Sequence, residues 1–256
     1  VWRSVDAGFS WTGLNLGLAN LPVRRLLAVP SGIQGVRVVA EGYGELEWPP
    51  GEKQAWRPAV SAALDAELAF RDQAARDLRI KVTSVAQAGD WAYAGGADGS
   101  LWVSLNKGRS WQPSRAADGV PVEKIYIDEG DPRLALAARG AGQAGAKAAH
   151  VLRTANGGLF WDDLSANLPD VAVHAVTVHR PTGTVYAATD LGVFQAIADL
   201  TGGSTAASWS LLAGDLPRAP VLDVRLDGGG NQLFAAVDGY GVFSTMAPHR
   251  MRQLVV

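Results

Sequence analysis

The chain has 256 residues, 48% of them apolar and 19% charged, with a formal net charge of −2 and no cysteine. That composition belongs to a globular protein with a large core and excludes a disordered chain. It also excludes a disulfide framework, a thiolate nucleophile and the basic stripe that nucleic acid selects. The apolar runs, such as Leu134 to Ala138 and Leu233 to Val237, are far shorter than the roughly 20 residues of a membrane-spanning helix, so no membrane insertion is expected.

The first element is an octapeptide, Ser4-Val5-Asp6-Ala7-Gly8-Phe9-Ser10-Trp11, followed by Asn20-Leu21-Pro22. Val1 opens inside this repeat without a leader, so the stretch reads as part of something longer. An apolar strand then runs into Ala40-Glu41-Gly42-Tyr43-Gly44. An acidic side chain can bond backbone two residues on and glycine takes positive φ freely, which makes this a hairpin turn. Pro49 to Trp56 is an eroded copy of the octapeptide.

Ala59 to Leu78 breaks the strand rhythm. Glu67 with Arg71 and Asp72 with Arg76 are i,i+4 pairs, Leu64, Leu68 and Ala75 share a face, and Ser61 can cap the start. The stretch predicts a surface helix of about four turns, either packed on the sheets or serving as a partner-binding lid. The strand pattern resumes with a second hairpin turn at Gly96-Ala97-Asp98-Gly99, a second octapeptide, Ser104-Leu105-Asn106-Lys107-Gly108-Arg109-Ser110-Trp111, and the link Gly119-Val120-Pro121.

The next hairpin turn is swollen, from Arg139 to Lys147, and contains Gly140, Gly142 and Gly145 in the dinucleotide-binding spacing. That fingerprint needs a long helix at the glycines. Here the sequence returns at once to a strand and a third octapeptide, Thr154-Ala155-Asn156-Gly157-Gly158-Leu159-Phe160-Trp161, so an exposed loop is expected and no nucleotide cofactor. Asn167-Leu168-Pro169 leads to the clearest unit, with strands over Val171 to Val178, Val185 to Thr189, Gly192 to Ala196 and Ser208 to Leu212, and a turn at Thr189-Asp190-Leu191-Gly192. After Asp215-Leu216-Pro217, residues 220 to 246 supply three more strands around Val237-Asp238-Gly239-Tyr240-Gly241.

Trp11, Trp56, Trp111, Trp161 and Trp209 thus recur at roughly 50-residue intervals with four strands per interval, which defines an all-β fold, a β-propeller of four-stranded antiparallel blades. The strands number one more than five such blades need. Either the two ends build a composite fifth blade with one strand spare, or the chain is cut from a ring of six to eight blades; the second is the expectation.

The Ser/Thr-X-Asp-X-Gly-X-X-Trp phrase resembles the Asp-box of BNR-repeat propellers, the superfamily of sialidases, sortilin-type receptors, plant-cell-wall glycosidases and photosystem assembly factors. The resemblance implies that each box is a hairpin at the outer rim and that its residues are structural: Ser4, Asp6, Gly8 and Trp11; Ser104, Asn106, Gly108 and Trp111; Thr154, Asn156, Gly158 and Trp161. It implies also that insertions and the turns between second and third strands share the face that receives ligands. The family's sialidases carry an Arg-Ile-Pro phrase, which this chain lacks.

Catalysis finds little purchase. His150, His174, His179 and His249 show no metal-ligand spacing, so no metal is expected. Glu41, Asp98, Asp190 and Asp238 recur at one repeat position; two carboxylates across a cleft suffice for glycoside hydrolysis, but recurrence favours a turn role. The expected function is a non-catalytic binding domain of a secreted or envelope bacterial protein, facing a protein or glycan through Tyr43, Arg139, Lys147 and Tyr240, with no cofactor. A glycoside hydrolase of the Asp-box type and an assembly-factor-like scaffold are the alternatives.

Overall fold

The computed structural model describes residues 2–3, 8–9, 12–13, 22–28, 35–41, 44–48, 56–58, 62–142, 148–202, 207–212 and 214–251. A short pair, β1 (Trp2–Arg3) and β2 (Thr12–Gly13), precedes a sheet of β3 (Val23–Ala28), β4 (Val36–Ala40), β5 (Gly44–Trp48) and β6 (Arg57–Pro58), then α1 (Ala62–Leu78). The second sheet holds β7 (Val82–Ala88), β8 (Trp91–Gly96), β9 (Leu101–Ser104) and β10 (Gln112–Arg115). The third holds β11 (Val122–Ile127), β12 (Ala135–Arg139), β13 (Val151–Thr154) and β14 (Asp162–Asp163). The fourth holds β15 (Val173–His179), β16 (Thr184–Thr189), β17 (Gly192–Ile197) and β18 (Ser210–Leu211). A three-stranded sheet of β19 (Val221–Leu226), β20 (Gln232–Val237) and β21 (Gly241–Met246) follows, and α2 (Pro248–Met251) comes last.

Strands pair in sequence order within every sheet, so the chain is all-β and built of antiparallel propeller blades as the repeat predicts; the described strands make five of them, the count of the composite-blade alternative and not of the six to eight that were expected. All four second-to-third-strand turns anticipated at residues 40–44, 96–99, 189–192 and 237–241 fall at the junctions of paired strands. β1 lies against β21, the neighbour a composite fifth blade requires.

The chain divides into two compact units, one of residues 1–61, 190–193 and 212–256, the other of 62–189 and 194–211. In the second unit the sheets stack face to face, with β11 against β7 and β8, and β15 against β11 and β12. Tyr93, Leu101, Val122, Ile125, Ala137, Leu152 and Trp161 fill one interface; Leu136, Val151, Leu168, Val176, Val185, Phe194 and Trp209 belong to the next. The approach is close: a Cβ on Gly95 would come 2.4 Å from Val122 Cγ1, so only glycine fits there. In the first unit, Leu26, Val38, Leu46, Trp48 and Trp56 pack with Phe234, Ala236 and Val242.

The two described octapeptide turns fold alike. Ser104 Oγ accepts from Asn106 N and Gly108 N at 3.3 and 2.8 Å and donates to Asn106 Oδ1, which also accepts from Ser110 N at 2.9 Å. Thr154, Asn156, Gly158 and Phe160 repeat the pattern at 3.4, 2.8 and 3.0 Å. Side-chain oxygens thus satisfy amides that a tight turn leaves unpaired, while Gly108 and Gly158 hold φ of +78° and +81°. One position differs: Asn106 Nδ2 donates to Ser110 Oγ at 2.8 Å, and its counterpart is Phe160, 63% exposed.

The predicted helix forms as α1 and packs against β7, burying Ala74 with Val82, Val85 and Ala94, with Phe70 and Trp111 alongside. It packs as a preceding sheet would. The Trp161 ring meets Tyr93 of β8 at a centroid distance of 6.0 Å, and the Trp111 ring meets Phe70 of α1 at the same distance. A Cβ on Gly158 would come 3.4 Å from the Tyr93 ring, and one on Gly108 2.5 Å from the Phe70 ring. Of the two sequence alternatives for this helix, packing explains its buried face.

Candidate functional site

The first strand of every blade is bulged at the same place, and β3 a second time, between Leu26 and Ala28. Register shifts fall between Val23 and Arg25, Val82 and Ser84, Val122 and Lys124, Val173 and Ala175, and Val221 and Asp223. Each valine is buried and pairs with the last residue of the second strand, respectively Ala40, Gly96, Arg139, Thr189 and Val237. The bulges therefore adjoin the second-to-third-strand turns, at what is called here the loop end of the blades. An extra residue re-aims its side chain. The five are Arg24, Thr83, Glu123, His174 and Leu222, of which Arg24 and Glu123 are exposed and the others half-buried.

In the second unit, long-range polar contacts fasten this end. The Asp98 carbonyl accepts from Asp118 N and Gly119 N at 3.2 and 2.8 Å, joining the first turn to the following link. Asp98 Oδ1 accepts from Ser100 N and Oγ at 3.0 and 2.7 Å, so this carboxylate serves its own turn. Asp118 pairs with Arg139 and, at 3.1 Å, with Arg115. Arg139 also donates to the carbonyls of Ala149 and Val120 at 3.0 and 3.1 Å. Burial alone would raise the Asp118 carboxyl, but the Val120 amide and the two arginines outweigh it and hold it below its ordinary value. One sheet further on, His150 contacts Gly140 O and Asp170.

In the first unit, the bulge residue Arg24 spans two turns. Its Nε and Nη2 donate to Glu41 Oε2 at 2.9 and 2.5 Å, and Nη1 donates to Asp238 Oδ1 at 3.4 Å. Beneath it, buried Asp223 accepts from Leu26 N at 3.1 Å, tying β19 to β3. Tyr240, on the turn that carries Asp238, is 57% exposed.

Of the residues expected to meet a partner, Tyr240 is thus on the surface. Arg139 is not: it closes β12 with its guanidinium fully buried, because the swollen turn begins after it and Asp118 draws the charge inward. Tyr43 and Lys147 lie outside the described residues, as do Ser4, Asp6 and Trp11 of the first octapeptide. Gly8 is described and holds φ of +92°. Trp161 is buried with Nε1 donating to Ser114 Oγ at 2.7 Å, Trp209 is buried with Nε1 on Leu164 O at 2.7 Å, and Trp111 is half-buried. Among the described residues no group of three or more His, Asp or Glu is placed to hold a metal ion, and no helix is long and apolar enough to cross a membrane. Sequence reading missed the bulge residues. Their signal was present as a valine that opens every first strand and is followed each time by a different residue.

No family model matches the sequence and no curated protein matches it. Its fold is similar to that of solved propellers. A GH74 enzyme from Niastella koreensis shares 13% identity, with 91% of this chain covering 37% of that one at a TM-score of 0.50. An ancestral GH74 enzyme shares 18% identity over 96% of this chain and 31% of its own, at 0.49. A GH74 xyloglucanase from Xanthomonas campestris shares 14% over 95% and 36%, at 0.48. The chain thus spans about a third of the length of these enzymes, and at such identities the likeness concerns the fold alone.

Proposed function

We propose that this is a non-catalytic binding propeller of an exported bacterial protein, which presents the loop end of its blades to a glycan or a protein. One observation carries the reading: on a scaffold that repeats valine at every first strand, the bulged neighbour is in turn arginine, threonine, glutamate, histidine and leucine. Side chains that serve the blade recur with the blade, whereas chemistry that changes at a fixed place suits recognition. Pinned loops add pre-organisation, which lowers the entropic cost of binding. The octapeptide turns, like the Asp-box they resemble, have the local bonding of a scaffold.

A glycosidase general acid needs a carboxyl with a raised pKa. Three carboxyls among the described residues, Asp118, Asp131 and Asp199, are held below their ordinary value: Asp118 as above, Asp131 by Arg133, and Asp199 by the amides of Gly202 and Thr201. The decisive experiment uses xyloglucan both as a gel matrix for affinity electrophoresis and as a substrate for reducing-end release. Retarded migration without new reducing ends supports the binding role. Reducing ends that disappear in a carboxylate variant would replace it with glycoside hydrolysis.

A further inference from the structure

Of the chain's asparagines only Asn156 is followed by glycine, and it stands exposed in the third octapeptide turn. An asparagine side chain closes most readily on the nitrogen of a following glycine, because no Cβ crowds the five-membered ring that forms. The turn also prepares the electrophile. Asn156 Oδ1 accepts from Phe160 N and from Thr154 Oγ1, both at 3.0 Å, and donors fixed in this way gain strength as negative charge develops on the oxygen. Asn156 Nδ2, the leaving nitrogen, has no hydrogen-bond partner among the described residues. In the second turn, by contrast, Asn106 Nδ2 is held by Ser110 Oγ at 2.8 Å and the next residue is Lys107. One contact restrains the nucleophile: Gly157 N donates to Arg133 O at 3.0 Å.

We infer that Asn156 is a modification site, converted by water to aspartate through a cyclic imide whenever the contact between Gly157 and Arg133 opens. The Gly157 amide gives its proton to solvent and its nitrogen attacks Asn156 Cγ. The N–Cγ bond forms, the Cγ–Nδ2 bond breaks, and Nδ2 takes up a proton and leaves as ammonia. Water then opens the imide at either carbonyl, giving aspartate or isoaspartate, with nothing oxidised or reduced. The turn accommodates the aspartate: both donors to Oδ1 remain, now in charge-assisted bonds, and the lost amino group made no bond. The first octapeptide carries Asp6 at this place. Isoaspartate instead lengthens the main chain by a methylene just before Gly157 and pulls it from Arg133. Because the bonds of the turn are local and lie at the surface, the turn opens without unfolding the sheets. The conversion is independent of the binding role.

The test incubates the full chain at mildly alkaline pH, folded and in urea, and follows Asn156 and Asn106 by peptide mapping with mass spectrometry, which reads the mass gain and the separately eluting isoaspartate. The urea sample gives the rate of the unconstrained Asn-Gly pair. The folded chain converts Asn156 within roughly a hundredfold of that rate, as a local opening allows, and at least roughly tenfold faster than Asn106. Conversion slowed by as much as the global unfolding constant, measured by urea titration, would mean that the contact opens only with the whole fold, and this overturns the assignment. Equal rates at the two asparagines overturn it too. Asn156→Gln, whose longer side chain closes far more slowly, abolishes the mass gain; a gain that survives belongs to Asn167, on the same tryptic peptide, and counts against Asn156. Asn156→Asp keeps the wild-type urea midpoint, and a lowered midpoint contradicts the fit of the product.

Discussion

The two ends of the sheets in the second unit differ in the side-chain bonds that repeat from blade to blade. At the turn end, Ser104, Asn106, Thr154 and Asn156 bond to groups within four residues of themselves. At the loop end, Arg139 reaches 21 residues back to Asp118, and His150 reaches 20 residues on to Asp170. Local bonds recur whenever the octapeptide recurs, so the turn end is the same device used again. The long-range side-chain bonds of Arg139 and His150 have no counterpart at the same positions of the other described blades, and they give each loop its own character. Damage at the turn end should therefore cost stability and leave recognition alone, with the reverse at the loop end.

The largest effect should come from Trp161→Ala, about 3 to 5 kcal/mol of unfolding free energy, since the ring is buried and its Nε1 is bonded. Trp111→Ala should cost less, about 1 to 2 kcal/mol, because that ring is half-buried and its Nε1 has no hydrogen-bond partner. Equal losses in urea titrations would mean that the two turns are not graded by burial. Next comes Gly108→Ala, about 2 kcal/mol from positive φ and overpacking, with the new Cβ 2.5 Å from the Phe70 ring. If α1 stands in for a sheet, Phe70→Ala should partly relieve that clash; strictly additive losses would argue that α1 and the turn are independent.

Asp118→Asn should cost about 1 kcal/mol at neutral pH, kept small because the side chain is 34% exposed. Its folded-state pKa is lowered, so its stabilisation is complete above the unfolded value of about 3.9 and disappears as pH falls through the lowered one. Acid titration should bring the wild type down to meet the variant; curves that stay parallel to the acid limit would remove Asp118 from the pH dependence. The smallest effect is a gain: Phe160→Ser restores the hydroxyl that Ser110 offers Asn106 and should add about 0.5 kcal/mol, detectable as a raised urea midpoint.

This contrast also explains how much was legible beforehand. The blades could be read because their signals are short-range: strand alternation, Asp-Gly turns and an octapeptide whose bonds span four residues. The helix could be read for the same reason, although nothing in its sequence tells that Phe70 would face Trp111 as Tyr93 faces Trp161. Arg139 was misplaced because its direction is set by Asp118, and no spacing rule links a strand end to a carboxylate in the preceding link. The bulge residues were overlooked because a bulge is a property of two paired strands, while Arg24, Thr83, Glu123, His174 and Leu222 share no residue type. The contacts of His150 were equally hidden, as it carries no motif and meets Gly140 and Asp170 only when link and strand come together.

The most direct test of the loop end as the recognition surface is a glycan array probed with three proteins of matched melting temperature: wild type, Glu123→Ala with His174→Ala, and Leu159→Ser with Phe160→Ser. The first pair removes bulge chemistry from the third and fourth sheets, and the second removes exposed apolar residues from the turn end of the third. A recognition surface at the loop end means that the glycans retained by the wild type are lost by the bulge variant and kept by the turn variant. Binding that survives loss of Glu123 and His174 but fails without Leu159 and Phe160 would put recognition at the turn end and contradict the assignment.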